Sequence, residues 1–410
     1  MRLFIFLAIL LAIDVYAFQA FRTLAQHWSA TARTLLYSLF WLVPVLTFLY
    51  VLASNLGWTL EWSKTTTTFM RTFLFIAYLS KFLIIPLLLV DDVRRLATMA
   101  YHGLSGEQPF DSSRSRFITQ MGIFLAAIPF LSLTYGVLRN AYRYRVFRKA
   151  LHLDDLPEGL DGLRIVQISD IHSGSFTFVD PVRNAIDLIN AQQPDLVFFT
   201  GDLVNSRADE MDPFLDVFDK IEAKHGVYSV LGNHDYGDYH DWPSHEAKVA
   251  NLQKLKDTHR RLGWDLLMNE HRHVEINGEQ VAVIGVENYS AHPRFPKYGD
   301  LPSAYRGAEQ AGLKLLLSHD PTHWREQVVS EFKDIALTFS GHTHGMQFGV
   351  EVPGWFKWSP IKYVYKDWAG LYRDGNQHLY VNRGLGFLGY PGRVGILPEI
   401  TVLELRRREA

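Results

Sequence analysis

The sequence predicts two unlike parts. An all-α transmembrane domain of about four helices comes first, over residues 1–149. An α/β domain of two packed sheets with helices outside follows, over 150–410. Three observations carry that prediction. Four stretches in the first third have the length and purity of membrane spans, which need about 20 predominantly apolar residues. Beyond them, short apolar runs alternate with polar turns rich in Asp, Asn, Gly and His. Charge divides at the same place: residues 1–150 hold 15 Lys/Arg against 6 Asp/Glu, leaving 26 against 37 for an acidic remainder.

The apolar stretches are Leu3–Ala20, Leu35–Ala53, Phe73–Val90 and Phe117–Leu138, and the second and fourth contain no charge. Arg2 followed by an apolar run imitates a signal peptide. No small-residue cleavage site follows it, and three more apolar segments do, so it reads as a span. Four spans put both chain ends on one side. The densest basic cluster, Arg139, Arg143, Arg145, Arg148 and Lys149, makes that side cytoplasmic. The same cluster is expected to sit among anionic headgroups. Asp14 and Lys81 lie inside the first and third spans, and a lone charge there is costly, so they are expected to pair.

Composition narrows the chemistry. With no cysteine there is no disulfide framework, thiolate metal site, Fe–S cluster or Cys nucleophile. An acidic second part argues against nucleic acid as a partner, because phosphate contacts need Lys and Arg. At 48% apolar residues, with 29 Gly and 17 Pro, disordered and collagen-like chains are excluded.

Ala150–Asp161 reads as a linker. From there, Leu163–Ile168 runs into Ser169-Asp170-Ile171-His172, Leu196–Phe199 into Thr200-Gly201-Asp202, and Val227–Leu231 into Gly232-Asn233-His234-Asp235. Val281–Val286 precedes Glu287-Asn288, Leu313–Leu317 precedes Ser318-His319-Asp320, and Ile335–Phe339 precedes Ser340-Gly341-His342-Thr343-His344. His378–Asn382 and Ile400–Leu405 are further strands, and Pro181–Gln193, Pro213–Lys224 and Ser244–Leu262 are helical. Continuous apolar runs of this length fit strands buried on both faces.

Ligands in layered sheets bind at the carboxyl ends of strands, where these polar turns fall. Asp170 and His172 are two apart, as are His342 and His344, so in extended chain each pair faces one side. Gly201, Gly232 and Gly341 precede the polar residues, where tight turns or close backbone approach would need no side chain. A D-x-H or G-D pair alone carries little weight. Together, Asp170, His172, Asp202, Asn233, His319, His342 and His344 form a set of oxygen and nitrogen donors suited to Mn²⁺, Fe or Zn²⁺. Seven donors exceed what one catalytic ion with an open position uses. They suit two ions bridged by a carboxylate.

The ordered set D-x-H, G-D, G-N-H-D, H and G-H-x-H resembles that of the calcineurin-like metallophosphoesterases, over about 164–405. The resemblance implies a four-layer αββα sandwich with two metals at the sheet ends. It implies that Asp170, His172 and His344 bind one divalent ion, manganese first and iron or zinc as alternatives. Asn233, His319 and His342 would bind the other, with Asp202 bridging. His234 would polarise the phosphate or protonate the leaving oxygen, oriented by Asp235. The membrane-anchored subgroup is similar also in Asn382-Arg383-Gly384-Leu385-Gly386 and Pro398-Glu399-Ile400. Met346 departs from the family, where Gly commonly follows this motif.

The expected function is a membrane-anchored hydrolase of phosphoesters or pyrophosphates using a hydroxide that bridges two metals. Arg383 is either a phosphate clamp or a structural ion-pair partner. The alternative is a non-catalytic membrane receptor or assembly factor with a phosphoesterase-like binding module; a transporter is a third reading. A phosphorylated lipid gives a reason for keeping the site on membrane spans, which a soluble nucleotide does not. Val352-Pro353-Gly354-Trp355-Phe356-Lys357-Trp358, then Tyr363, Tyr365, Trp368 and Tyr372, form an aromatic segment of membrane-interface type.

Overall fold

The computed structural model describes residues 2–105, 112–352 and 354–408. Pro353 of the aromatic segment lies outside them. The chain divides into two compact units, Met1–Tyr135 and Gly136–Ala410.

The first unit holds α1 (Arg2–Leu24), α2 (Ala30–Asn55), α3 (Lys64–Ser105) and α4 (Ser112–Tyr135). Among the described residues these are the four helices long and apolar enough to cross a membrane. Phe4, Leu39, Phe124 and Leu131 are all more than 60% exposed. Water does not solvate such a surface, whereas lipid does, and helices satisfy their own backbone groups there. The Ser29 hydroxyl caps α2 by accepting from Ala32 N–H. Asp14 and Lys81 meet as expected, with Lys81 Nζ 2.5 Å from Asp14 Oδ1. Tyr78 donates to the other carboxylate oxygen at 2.9 Å, and Lys81 also lies over the Phe40 ring.

The second unit is built from fourteen strands among the described residues. In chain order they are β1 (Arg145–Leu153), β2 (Arg164–Ile168), β3 (Leu196–Thr200), β4 (Val227–Val230), β5 (Asp265–Leu266), β6 (Glu270–Ile276) and β7 (Glu279–Gly285). Then follow β8 (Leu313–Leu317), β9 (Leu337–Ser340), β10 (Val350–Val352), β11 (Phe356–Trp358), β12 (Gly370–Asp374), β13 (Gln377–Val381) and β14 (Glu399–Arg407). One six-stranded sheet runs β1-β14-β2-β3-β4-β5 and the other β12-β13-β9-β8-β7-β6; β10 and β11 form a separate hairpin.

Alternation explains the apolar runs. Leu196 and Phe198 of β3, with Val283, Leu315, Phe339 and Leu403, fill the space between the sheets. Val197 and Phe199 point the other way, to the layer of α5 (Asp180–Asn190), α6 (Leu215–Phe218) and α7 (His245–Arg261). On the far side, Ile284 and Leu316 pack under Trp324 and Leu301. These are the four layers αββα.

Two expectations change. Residues 145–153 form an edge strand paired in parallel with β14, so the second unit begins at Gly136 and the linker shrinks. The helix expected over Pro213–Lys224 is a 3₁₀ segment and a single α turn. Asn190 ends it by accepting from Glu222 N–H and donating to Lys220 C=O.

Candidate metal centre

β2, β3 and β4 run parallel in one sheet, and β8 and β9 in the other. Their carboxyl ends therefore come together at one end of the sandwich. Asp170, His172 and His344 form one group of converging donors, and Asp202, His319 and His342 a second. Asn233 joins the second group, its Oδ1 lying 2.8 Å from His342 Nδ1. The Asn233 amide donates to Tyr239 Oη at 2.9 Å, which leaves Oδ1 facing the site.

The backbone that presents these side chains is strained. Asp170, His172, Asp202, His342 and His344 all have positive φ, between 47° and 70°. They are half of the ten such non-glycine residues described. Left-handed backbone is unfavourable for L-residues and clusters at functional sites. It also corrects the extended-chain argument: Asp170 and His172 face one site through two left-handed turns. Two glycines permit this geometry. A Cβ on Gly201 would meet Gly232 N and His319 Nδ1 at 2.5 and 2.8 Å, and one on Gly341 would collide with Ser169 and Asp170. Met346 is itself left-handed at φ 56° and 54% exposed, a backbone conformation that glycine adopts more readily.

The donors face one another with few protons to share. His172 Nε2 and His344 Nε2 are 3.0 Å apart, and His342 Nδ1 is 3.3 Å from His319 Nε2. Asp202 Oδ2 lies 3.5 Å from His172 Nε2 in the first group and 3.2 Å from His319 Nε2 in the second. One carboxylate oxygen thus looks into both groups. His319 donates from Nδ1 to Thr200 C=O at 2.7 Å, which turns Nε2 inward. Burial lowers the proton affinity of His319, but Asp202 and Asp170 override it and raise the ring to about 10. Burial takes His172 down to about 3. Buried carboxylates that draw a proton onto an imidazole mark surplus negative charge, which a divalent cation relieves. The residues present fit two such ions.

His234 stands half-buried at the rim, its ring 4.9 Å from that of His172. Its Nδ1 donates to Asn205 C=O at 2.7 Å, leaving Nε2 free. Asp235 does not orient this ring. The Asp235 carboxylate accepts instead from the N–H groups of Asp202, Leu203, Val204 and Gly232, at 2.8 to 3.2 Å. It is a buried clasp for the β3 and β4 turns, and a short side chain at that spacing reaches backbone before ring. Arg383 is the ion-pair partner: it donates to Glu399 at 2.5 Å and Glu351 at 2.6 Å. The segment it belongs to braces the site, with Leu385 N–H donating to Ser169 C=O and Gly386 N–H to Asp170 C=O.

Sequence reasoning missed Tyr365, Asp320 and Arg393. Tyr365 Oη is 2.7 Å from His342 Nε2, and Asp320 Oδ2 lies 3.6 Å from the same atom. Tyr365 and Trp368 are buried together with Ile396, so they leave the aromatic interface segment. Trp355, Phe356 and Tyr363 remain exposed in it. Arg393, wholly buried, donates to the carbonyls of Arg383 and Gly384. The Asp after His319 was the available signal for Asp320; Tyr365 and Arg393 had none.

A family model described as "Probable Calcineurin-like phosphoesterase, transmembrane domain" matches residues 1–141, and one described as "Calcineurin-like phosphoesterase" matches 163–346. A Danio rerio transmembrane protein with metallophosphoesterase domain is 28% identical over 322 residues, covering 77% of this chain and 68% of its own. The uncharacterized metallophosphoesterase YkoQ of Bacillus subtilis is 27% identical over 288 residues, covering 68% of this chain and 96% of its own. Among solved structures, the sulfate thiohydrolase SoxB of Thermus thermophilus is 14% identical, with a TM-score of 0.35 over 61% of this chain and 57% of its own.

Proposed function

Because the chain belongs to the calcineurin-like phosphoesterases and carries their transmembrane domain, we propose that it is a membrane-anchored hydrolase of phosphoesters or pyrophosphates working through a two-metal centre. The observation that carries this reading is the single Asp202 oxygen facing both donor groups. Asp170, His172 and His344 would hold one divalent ion; Asn233, His319 and His342 the other; Asp202 both. Bound there, the ions would acidify the attacking water and take up charge on the phosphoryl oxygens.

The chain's own residues do the rest. With its Nδ1 proton held by Asn205 C=O, His234 presents Nε2 to the substrate and, when the ring carries a second proton on Nε2, would pass that proton to the leaving oxygen and return to the neutral imidazole. Asp235 fixes the turns on which Asp202 and Asn233 sit, and its four N–H bonds keep both at one spacing. Tyr365 holds the far nitrogen of His342, as outer-sphere partners of ligating histidines do.

The substrate class that best fits the anchor is a phosphate or pyrophosphate linked to lipid, met on the cytoplasmic side. Its acyl chains stay in the bilayer while its headgroup reaches the site. The exposed side chains of Met346, Trp355, Phe356 and Tyr363, which follow the last metal motif, support that reading. The test is hydrolysis by the full chain in mixed micelles with Mn²⁺, over soluble monoesters and diesters and lipid-linked phosphates and pyrophosphates. Fastest turnover on a lipid-linked member is expected. A metal-loaded protein that cleaves none of them would overturn the enzyme reading; a preference for soluble esters would overturn the lipid one.

A further inference from the structure

Apart from the metal centre, the second unit has a cavity of about 480 Å³ where β1 meets the β10–β11 hairpin. None of the seven metal-site donors lines it. Arg145, Phe147 and Lys149 line it from β1, Trp355 and Lys357 from the hairpin, and Arg383 from the loop after β13. Residues i, i+2 and i+4 of a strand share a face, which brings Arg145, Phe147 and Lys149 to one side of β1. The Phe147 ring has Arg145 at 5.1 Å and Arg383 at 4.6 Å.

The charges in this cavity are not balanced. Arg383 is matched by Glu399 and Glu351. Among the described residues no ion pair engages Arg145, Lys149 or Lys357; Lys357 Nζ donates to Ala369 C=O, a neutral acceptor. Gly370 leaves room at the floor: a Cβ there would stand 3.6 Å from Lys357 Nζ and 3.8 Å from Arg383. At the mouth, Trp355 is 84% exposed and Phe356 49% exposed. Exposed cations, a pocket and an exposed aromatic pair together describe a receptor for an anion whose other end is apolar. Basic residues on an edge strand also discourage sheet-to-sheet pairing, but that role needs neither cavity nor aromatics.

Chain length supplies the occupant. Arg145 follows Tyr135, the last residue of α4, by ten residues. Ten residues of chain reach no farther than roughly 35 Å, which tethers the start of β1 within that distance of the end of the last span. We propose that this cavity binds the phosphate of an anionic glycerophospholipid headgroup, with Trp355 and Phe356 seated at the level of the interface. It docks the domain on the membrane and is separate from the site of hydrolysis, so it stands whether or not a lipid is the substrate.

The test uses the full chain in nanodiscs of phosphatidylcholine, with and without phosphatidylglycerol, read by hydrogen exchange and mass spectrometry. Phosphatidylglycerol should slow exchange at 145–149 and at 354–358 together. Each basic residue at an anionic surface contributes roughly fivefold to association, so R145Q/K149Q should weaken headgroup binding about 25-fold and abolish the protection. R145K/K149R should keep it, and unchanged exchange across β14 in both variants shows the sheet intact. Three results would each overturn the proposal: equal protection in phosphatidylcholine alone, protection in phosphatidylcholine discs produced by millimolar inorganic phosphate, or protection that survives R145Q/K149Q. The second would make the cavity a site for soluble anions.

Discussion

Two of the places where the molecule buries charge are built on opposite terms. In the first unit Asp14 meets Lys81 and Tyr78, so each buried charge and hydroxyl finds a partner within the group. At the strand ends of the second unit, imidazole nitrogens face each other at 3.0 and 3.3 Å, and one carboxylate oxygen is shared between two groups. The first arrangement is closed and needs nothing further. The second has more acceptors than protons and is held on left-handed backbone that the fold must over-determine. Burial and charge alone therefore do not mark a functional site. An unsatisfied donor set with strained backbone does.

That contrast predicts a graded series for hydrolysis. Asp202→Asn should give the largest loss, greater than the 10–100-fold typical of outer-sphere changes, because it removes the charge both groups share. Steady-state rates at saturating Mn²⁺ check this, and near-normal turnover would break the contrast. His234→Ala should lower kcat by roughly 10²–10⁴-fold, as for a lost general acid, with metal content unchanged. Metal lost in parallel with rate would make His234 a ligand.

How much of this was legible in the sequence follows physical lines. The central strands stood out because both their faces are buried, so Leu196–Phe199 reads as a continuous apolar run and Leu313–Leu317 is interrupted only by Lys314. The edge strands did not: β1 mixes basic with apolar residues, and β6 is largely polar. The seven donors were legible because each follows such a run. Tyr365 was not, because its hydroxyl meets His342 only through a loop that returns from 23 residues away. Asp235 was legible as a site residue but not in its role, since a carboxylate beside His234 does not reveal which donors it will find.

A smaller effect sharpens the comparison at Tyr365. Tyr365→Phe removes the hydroxyl at His342 Nε2 and should weaken metal affinity by about 10–100-fold, read by titration with Mn²⁺ after chelation. Unchanged affinity would make the contact incidental. Smallest in its effect on turnover is the closed pair. Asp14→Asn should leave turnover per bound metal unchanged while destabilising the first unit by about 3 kcal/mol, seen as lower thermal stability in micelles. The swap Asp14→Lys with Lys81→Asp should restore expression lost in either single variant, and failure of that rescue would count against the pair.

Metal stoichiometry reaches the central claim most directly. The full chain, loaded with Mn²⁺ and freed of excess, should carry two equivalents by elemental mass spectrometry. His344→Ala should retain one, and Asp202→Asn should lose most of both, because only Asp202 belongs to the two groups. Two equivalents retained by Asp202→Asn, or a single equivalent in the unaltered chain, would contradict a shared two-metal centre.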